Sequence, residues 1–377
     1  MKVGIDGRSL TAPQDRGVSH TTRSMIGALA AGHPDDDLRV FVPGRDPRDW
    51  PAELERRNVT IVRHPLPSRA LFGAAAVAGR PRLDRLLGGD LDVVWAPTAA
   101  PLAVSDGVPL VLSVHDLSFV ERPSDFTAYE RLWHRLARPR RLVQRAAAVV
   151  AVSEATRGAL AERWGMPAAR VAVVRNGVDL PPAGPDAAPA DLPERYLLFV
   201  GALEPRKAPE LLVDAFARAR ARGLDAELVL VGEGRLGPRL HGPGVRLVGR
   251  APRPALSALY AGALALVMPS WLEGFGLPPA EALAVGTPAV VSDLPVFAEI
   301  LGGGALRVPA GNPEALAGVY WYTWLTPPLG SPQPFDYAGL RRQSGAGIVS
   351  KPALGAYRSA ARALEGCAKS AVATRCG

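Results

Sequence analysis

The chain has 377 residues, 48% of them hydrophobic, enough for two α/β domains of ordinary size. Its formal charge is +8, but residues 319–377 hold seven basic and two acidic residues, leaving 37 basic against 34 acidic before them, a balance that argues against a general nucleic-acid role. No apolar run reaches a membrane-spanning length, MKVGIDGRSL lacks a signal-peptide core, and the two cysteines (Cys367, Cys376) make no disulfide framework, so a cytoplasmic protein is expected.

Short apolar strands alternate with helical stretches, which predicts parallel sheets. Strands are expected at Val3–Ile5, Leu38–Val42, Val59–Val62, Asp92–Trp95, Leu110–Val114, Ala148–Val152 and Val171–Val174, with helices between them that include Thr21–Ala31 and Glu154–Arg163. The Pro/Ala run from Pro181 to Asp191 has no periodicity and reads as a linker. The alternation then restarts, with strands at Tyr196–Val200, Glu227–Val231, Val245–Val248, Leu264–Met268 and Ala289–Val291 and helices at Pro209–Arg222 and Pro278–Val285. The domains expected are 1–180, a linker at 181–192, 193–318, and an atypical tail at 319–377. In doubly wound sheets, ligands sit in the loops that follow the strands.

The first such loop, Asp6–Ser19, contains Gly17 near a helix start, where a backbone can approach a phosphate or simply turn. His115 ends the strand Leu110–Val114, placed to meet a sugar hydroxyl or to serve the loop itself. Arg131–Arg145 mixes arginines with Leu132, Trp133, Leu136 and Leu142. It reads either as a solvated helix face with a packing stripe or as a surface for anionic lipid or a lipid-phosphate acceptor, and Pro139 interrupts it.

After Tyr196–Val200 comes Gly201-Ala-Leu-Glu-Pro-Arg206-Lys207. Only four lysines occur among the 44 basic residues, so a lysine at 207 is informative. It is the compact charge suited to a phosphate, and Arg206 beside it offers a bidentate fork. Further on, Glu273 and Glu281 stand eight residues apart around the turn Gly274-Phe275-Gly276. A turn that exposes backbone N–H groups at a helix start is an anion site. Two carboxylates beside it can hold polar groups of the same ligand, which is the chemistry of a nucleotide-sugar site. Asp90-Leu91-Asp92 and Asp35–Asp37 fit an Asp-x-Asp metal pattern, but both fall in strand-edge or turn contexts, and no zinc-type spacing occurs.

Taken in order, VHDL at 114–117, VSEATR at 152–157, NGVD at 176–179, GALEPRK at 201–207, Glu273-x7-Glu281 with its GFG turn and GTPAVVSD at 286–293 resemble the retaining glycosyltransferase family 4 over residues 1–316. The resemblance implies the GT-B fold, two Rossmann-like α/β domains facing across a cleft. It also implies transfer of a hexose from a nucleotide diphosphate sugar to a glycan or lipid-linked acceptor, with no metal or other cofactor. Carried onto this chain, Arg206 and Lys207 neutralise the donor pyrophosphate. Phe275, Gly276 and Leu277 offer backbone N–H groups, Glu273 binds sugar hydroxyls and Glu281 the ribose. His115 meets the donor sugar, Gly17 lets its loop reach the phosphates, and Ser153 and Asn176 are wall candidates. Ala202 stands where many members have arginine. That form resembles a mannosyltransferase subgroup and points to GDP-mannose. A nucleotide-sugar epimerase and a non-catalytic sugar-nucleotide-binding protein are the competing readings.

The family pattern ends near residue 318. Beyond it, four aromatics fall within Tyr320–Trp324 and acidic residues nearly vanish. The text fits an out-of-frame reading of a GC-rich gene or a divergent native tail, and sequencing the gene separates the two.

Overall fold

The computed structural model describes residues 1–11, 17–44, 54–65, 67–178, 180–181, 189, 191–324, 366–370 and 373. The chain divides into two compact units, Met1–Gly177 with Leu354–Gly377, and Val178–Ala353. The division falls just ahead of the expected linker, whose Pro182–Ala188 stretch lies outside the described residues.

Among the described residues, the first unit holds seven strands: β1 (Lys2–Asp6), β2 (Asp37–Pro43), β3 (Val59–His64), β4 (Val93–Ala96), β5 (Leu110–Val114), β6 (Ala148–Ala151) and β7 (Val171–Val173). Its helices are α1 (Gly17–Gly32), α2 (Ser68–Ala78), α3 (Leu83–Leu86), α4 (Ser118–Glu121), α5 (Ala128–Ala137), α6 (Pro139–Arg145) and α7 (Glu154–Trp164). The sheet runs β3-β2-β1-β4-β5-β6-β7, every pairing parallel. Both faces are covered, as parallel sheets require. Val93, Trp95 and Val111 join Met25, Ile26 and Leu29 of α1 on one face. Val94, Leu110 and Leu112 join Leu142 and Leu160 on the other. That is the strand period of two, expressed on both sides.

The second unit holds β8 (Tyr196–Val200), β9 (Glu227–Val231), β10 (Val245–Gly249), β11 (Ala265–Met268), β12 (Ala289–Ser292) and β13 (Ala305–Val308). Its helices are α8 (Pro209–Ala221), α9 (Arg253–Gly262), α10 (Leu277–Ala284), α11 (Pro295–Leu301) and α12 (Pro313–Trp324). This parallel sheet runs β10-β9-β8-β11-β12-β13. Each sheet therefore has one place where the strand order reverses: between β1 and β4 in the first unit and between β8 and β11 in the second. Crevices at the carboxyl ends of such switch points are where open α/β sheets bind ligands.

Two differences from the sequence reading have simple causes. Strand β13 was not anticipated, because ALRV is four residues long with an arginine in it and lies at the sheet edge. Helix α1 begins at Gly17, four residues before Thr21, because Ser19, His20, Thr21 and Thr22 are polar yet buried and hide the helical period. The basic stretch at 131–145 breaks in two at Arg138, whose backbone is left-handed (φ 46°, ψ 52°) ahead of Pro139. A capping box of Thr127 and Glu130 starts α5.

The Asp-x-Asp patterns are tied into the fold. Asp92 accepts from the Lys2 backbone N–H at 2.7 Å, and Asp90 pairs with Lys2 and Arg39, which hold its carboxyl below the usual range. Asp36 pairs with the N-terminal amine. Of the tail, Val319–Trp324 continue α12, and 325–365 lie outside the described residues. Ala368 is buried in the first unit's core, with Cys367 packed beside it and its thiol pushed up by burial.

Candidate active site

In the second unit, the switch point brings together the loops that follow β8 and β11. A short 3-10 turn at Pro205–Lys207 follows β8, and Ala208 (φ 52°) turns the chain into α8. The Trp271 backbone N–H donates to the Arg206 carbonyl at 2.9 Å, tying one loop to the other. Lys207 is 8% exposed, and its Nζ pairs with Glu273 Oε1, which also accepts from Ser270 Oγ at 2.8 Å. Among the described residues, no hydrogen-bond or ion-pair partner holds the Arg206 guanidinium.

The turn after Glu273 is shaped by glycine. Gly276 caps α10 with φ 87° and ψ 56°, and a Cβ there would lie 2.6 Å from Phe297 Cε1. Only glycine suits both the conformation and the space. Pro278 and Pro279 then open the helix without N–H groups, so the donors of this helix start lie at Phe275, Gly276 and Leu277. Among the described residues, no acceptor takes any of these three amides. Uncommitted N–H groups at a helix start, in the loop that Lys207 meets through Glu273, are the kind of donors an anion can use.

Two more glycines let the β8 and β9 loops close on one another. A Cβ on Gly232 would lie 1.9 Å from the Gly201 carbonyl oxygen, and one on Gly234 2.4 Å from that of Leu203. Glu281, one turn into α10, is 5% exposed. It accepts from Tyr260 Oη at 2.9 Å and from Arg253 at 3.2 Å. Burial, and then the charge of Glu281, keep the Tyr260 phenol well above its ordinary value, so it remains a donor. Tyr260 and Arg253, both on α9, were not singled out from the sequence. Their spacing there is ordinary helix text, and only the packing of α9 against α10 brings them to Glu281.

In the first unit, the switch point between β1 and β4 holds Asp6, 2% exposed and gripped by Arg8, whose Nη1 donates to the Pro101 carbonyl at 2.8 Å. This clamp too was missed, since Asp6-Gly-Arg8 reads as a plain loop. His115 follows β5, and its Nε2 lies 2.9 Å from the Pro97 carbonyl. A carbonyl only accepts, so Nε2 carries the proton and the neutral ring leaves Nδ1 as an acceptor. Burial lowers the His115 pKa, partly opposed by that hydrogen bond and by Asp116.

Ser153 is fully buried and caps α7, accepting from the Thr156 N–H at 3.1 Å. Thr156 Oγ1 in turn donates to the His115 carbonyl at 3.1 Å, so this cap steadies the His115 loop. Asn176 is half-buried just past β7. Gly17 opens α1, exposed, and residues 12–16 before it lie outside the described residues, as does Asp179. The structure thus gathers Arg206, Lys207, Glu273, Phe275, Gly276, Leu277 and Glu281 in one unit, and His115, Ser153, Gly17 and Asn176 in the other.

A family model described as Glycosyltransferase Family 4 matches residues 16–181, and one described as Glycosyl transferases group 1 matches residues 194–319. A D-inositol 3-phosphate glycosyltransferase of Kribbella flavida is 30% identical over 287 residues, covering 68% of this chain and 67% of the relative. The chain belongs to glycosyltransferase family 4. The O-antigen chain mannosyltransferase RfbU of Salmonella typhimurium is 30% identical over 215 residues, 54% of this chain and 56% of that protein. This family 4 chain spans about half the length of RfbU and of other curated relatives it matches. The structure of Anabaena HepE in complex with UDP and glucose superposes with a TM-score of 0.66 at 19% identity, covering 97% of this chain and 100% of that one. That likeness shows the fold, a GT-B glycosyltransferase fold. The group 1 match ends at residue 319, where the family 4 pattern also stops in the sequence.

Among the described residues, no group of three or more His, Cys, Asp or Glu is placed to hold a metal ion, and no helix is long and apolar enough to cross a membrane.

Proposed function

We propose that the chain is a retaining glycosyltransferase that moves a hexose, mannose first, from a nucleotide diphosphate sugar to a glycan or lipid-linked acceptor without a metal. The observation that carries this reading is the set of uncommitted N–H groups at Phe275, Gly276 and Leu277 beside Arg206 and Lys207. A departing nucleoside diphosphate gains negative charge, and fixed cations and N–H dipoles stabilise it without a reorganisation cost at the moment of reaction. In this reading the pyrophosphate engages the free Arg206 fork and draws Lys207 partly away from Glu273, which is then available to sugar hydroxyls. Glu281, oriented by Tyr260 and Arg253, accepts from the ribose. Contact of His115 with the donor sugar, and of the Gly17 loop with phosphate, belong to the same proposal. Neutral His115 can accept a hydroxyl hydrogen bond at Nδ1 without adding charge. Mannose is favoured by the Ala202 form of the phosphate loop and by the likeness to RfbU, itself a mannosyltransferase.

The test is a thermal-shift series with GDP-mannose, UDP-glucose and their nucleoside diphosphates, because a ligand that binds only the folded state raises its melting temperature. GDP-mannose is expected to stabilise the chain most, and Lys207→Ala to abolish the shift. No shift with any donor overturns the reading. Donor binding without hydrolysis or transfer instead favours a non-catalytic binding protein.

A further inference from the structure

One buried charge pair in the first unit has no part in the proposed function. Asp6, at the carboxyl end of β1, is 2% exposed, and the Arg8 side chain is 10% exposed. A buried ion pair is a poor source of stability, because the desolvation penalty offsets most of the attraction. Its purpose is better sought in what the pair holds. Arg8 sets Nε at 2.8 and 2.9 Å from the two Asp6 oxygens and adds Nη2 to one of them, which turns Nη1 outward. Nη1 donates to the Pro101 carbonyl at 2.8 Å. The turn between the two charges is tied as well, since the Gly7 N–H donates to the Phe41 carbonyl of β2 at 2.9 Å.

Pro101 ends a short irregular stretch that begins at Pro97, directly after β4. Both prolines are buried, and residues 98–100 are half-buried. Proline has no N–H, and among the described residues no amide or carbonyl of residues 98–100 makes a backbone–backbone hydrogen bond. Two side chains hold the stretch instead, Arg8 at the Pro101 carbonyl and His115 at the Pro97 carbonyl. Strand β4 pairs with β1 on one side and β5 on the other, Ile5 opposite Trp95 and Ala96 opposite Leu112. The three carboxyl ends therefore stand side by side, and residues 97–101 form a strap from Arg8 to His115.

The His115 backbone is held separately. Its carbonyl accepts from Thr156 Oγ1 at 3.1 Å, and the next residue, Asp116, accepts from the Ser118 N–H at 2.8 Å and Ser118 Oγ at 2.6 Å. These bonds leave the imidazole free to turn. Its orientation and tautomer rest on the 2.9 Å bond from Nε2 to Pro97, which makes Nδ1 the acceptor. The place of the Pro97 carbonyl depends on the strap, and the far end of the strap is pinned by Arg8.

We propose that Arg8, braced by Asp6, is a positioning residue for His115: through the strap 97–101 it keeps the Pro97 carbonyl where it selects the tautomer with Nδ1 as acceptor. The proposal rests on the reading of His115 as a contact of the donor sugar, and adds that a buried ion pair one strand beyond the strap sets that contact. Arginine suits the task because one planar guanidinium grips a carboxylate and still reaches a third acceptor.

The test is nitrogen NMR of the full chain labelled at its histidine rings, at a pH where they are neutral, with the His115 signals assigned by their loss in His115→Gln. The native chain should show His115 in one tautomer, protonated at Nε2. Arg8→Gln should give a mixture of both tautomers. That variant strands the Asp6 carboxylate, so the pair Asp6→Asn with Arg8→Gln, which removes the stranded charge, is read beside it and should give the same mixture. A single Nε2-protonated tautomer in the folded variants overturns the proposal. In hydrolysis of GDP-mannose, Arg8→Gln should lower kcat by about ten- to a hundredfold, the cost of a misplacement of up to about 1 Å, with KM within about twofold. In a His115→Gln background the same change should cost nothing more, because Arg8 acts through a ring that is no longer there. Equal loss in that background, or a loss confined to KM, would mean that Arg8 serves the fold or donor binding and would overturn the proposal. A native chain that neither binds nor hydrolyses any donor fails the transferase reading, while the tautomer measurement still reports on Arg8, so the two failures are distinguishable.

Discussion

Replacing Lys207 with methionine tests the ion pair at the centre of the donor loops. The lysine and glutamate side chains are 10% and 7% exposed, so neither charge is well hydrated. Methionine keeps most of the lysine stem's volume but leaves Glu273 as a buried carboxylate with Ser270 as its remaining side-chain donor. Removing one partner of a buried pair costs about 3–5 kcal/mol, and the Ser270 hydroxyl places this case at the lower end. Adding Glu273→Gln removes the stranded charge while keeping a similar shape. The double variant should therefore recover about 2 kcal/mol relative to the single one, a coupling of the size expected for residues in contact. A chain of two units need not unfold in one step. Hydrogen exchange of peptides from β8, β11 and α10 therefore reads the opening free energy where the pair sits. If the single variant loses no more protection than the double, the two charges are not held as a buried couple and the account of the site fails. Both variants should also lose the stabilisation conferred by donor.

Three further outcomes follow from the same geometry. Gly276→Ala forces a left-handed alanine and a contact with Phe297, so it should lower stability by more than about 2 kcal/mol in urea unfolding; a change within about 0.5 kcal/mol would contradict the cap geometry. Tyr260→Phe removes the donor to buried Glu281 and should cost about 1–3 kcal/mol, with weaker calorimetric binding of GDP; intact affinity would remove Tyr260 from the positioning of Glu281. Burial lowers the pKa of both His115 and His134, so as pH falls below about 6.5 the unfolded chain takes up protons that the folded chain refuses. Unfolding free energy should therefore decline on acidification from pH 8, and His134→Gln should flatten part of that decline in the urea midpoint; a midpoint that rises on acidification would refute the sign.

Much of the candidate site was legible because its chemistry is local. Arg206 and Lys207 stand together in a lysine-poor chain, and Gly276 and the two prolines after it announce a helix start with few N–H groups of its own. Strand positions were legible for a similar reason, since doubly covered parallel strands are continuous apolar runs. What the text concealed was partnership across distance. Tyr260 and Arg253 find Glu281 through helix packing, Arg8 finds Asp6 and Pro101, and Arg82 joins Arg138 and Arg141 around one cavity. Edge strand β13 escaped because a short strand with an outward arginine has no pattern of its own.

The sequence alone determined the class of the protein: two α/β units, the order of their motifs, and which short turns can hold an anion. These follow from backbone preferences and side-chain chemistry within a few residues. Tertiary structure decided which of those groups are free to act. Among the described residues, it placed Lys207 against Glu273 while leaving the Arg206 guanidinium and three amides uncommitted, and it made Ser153 a buried cap. The reason is physical: whether a polar group is available depends on what lies within about 3 Å of it, and in a doubly wound sheet those neighbours come from strands and loops far apart in the chain.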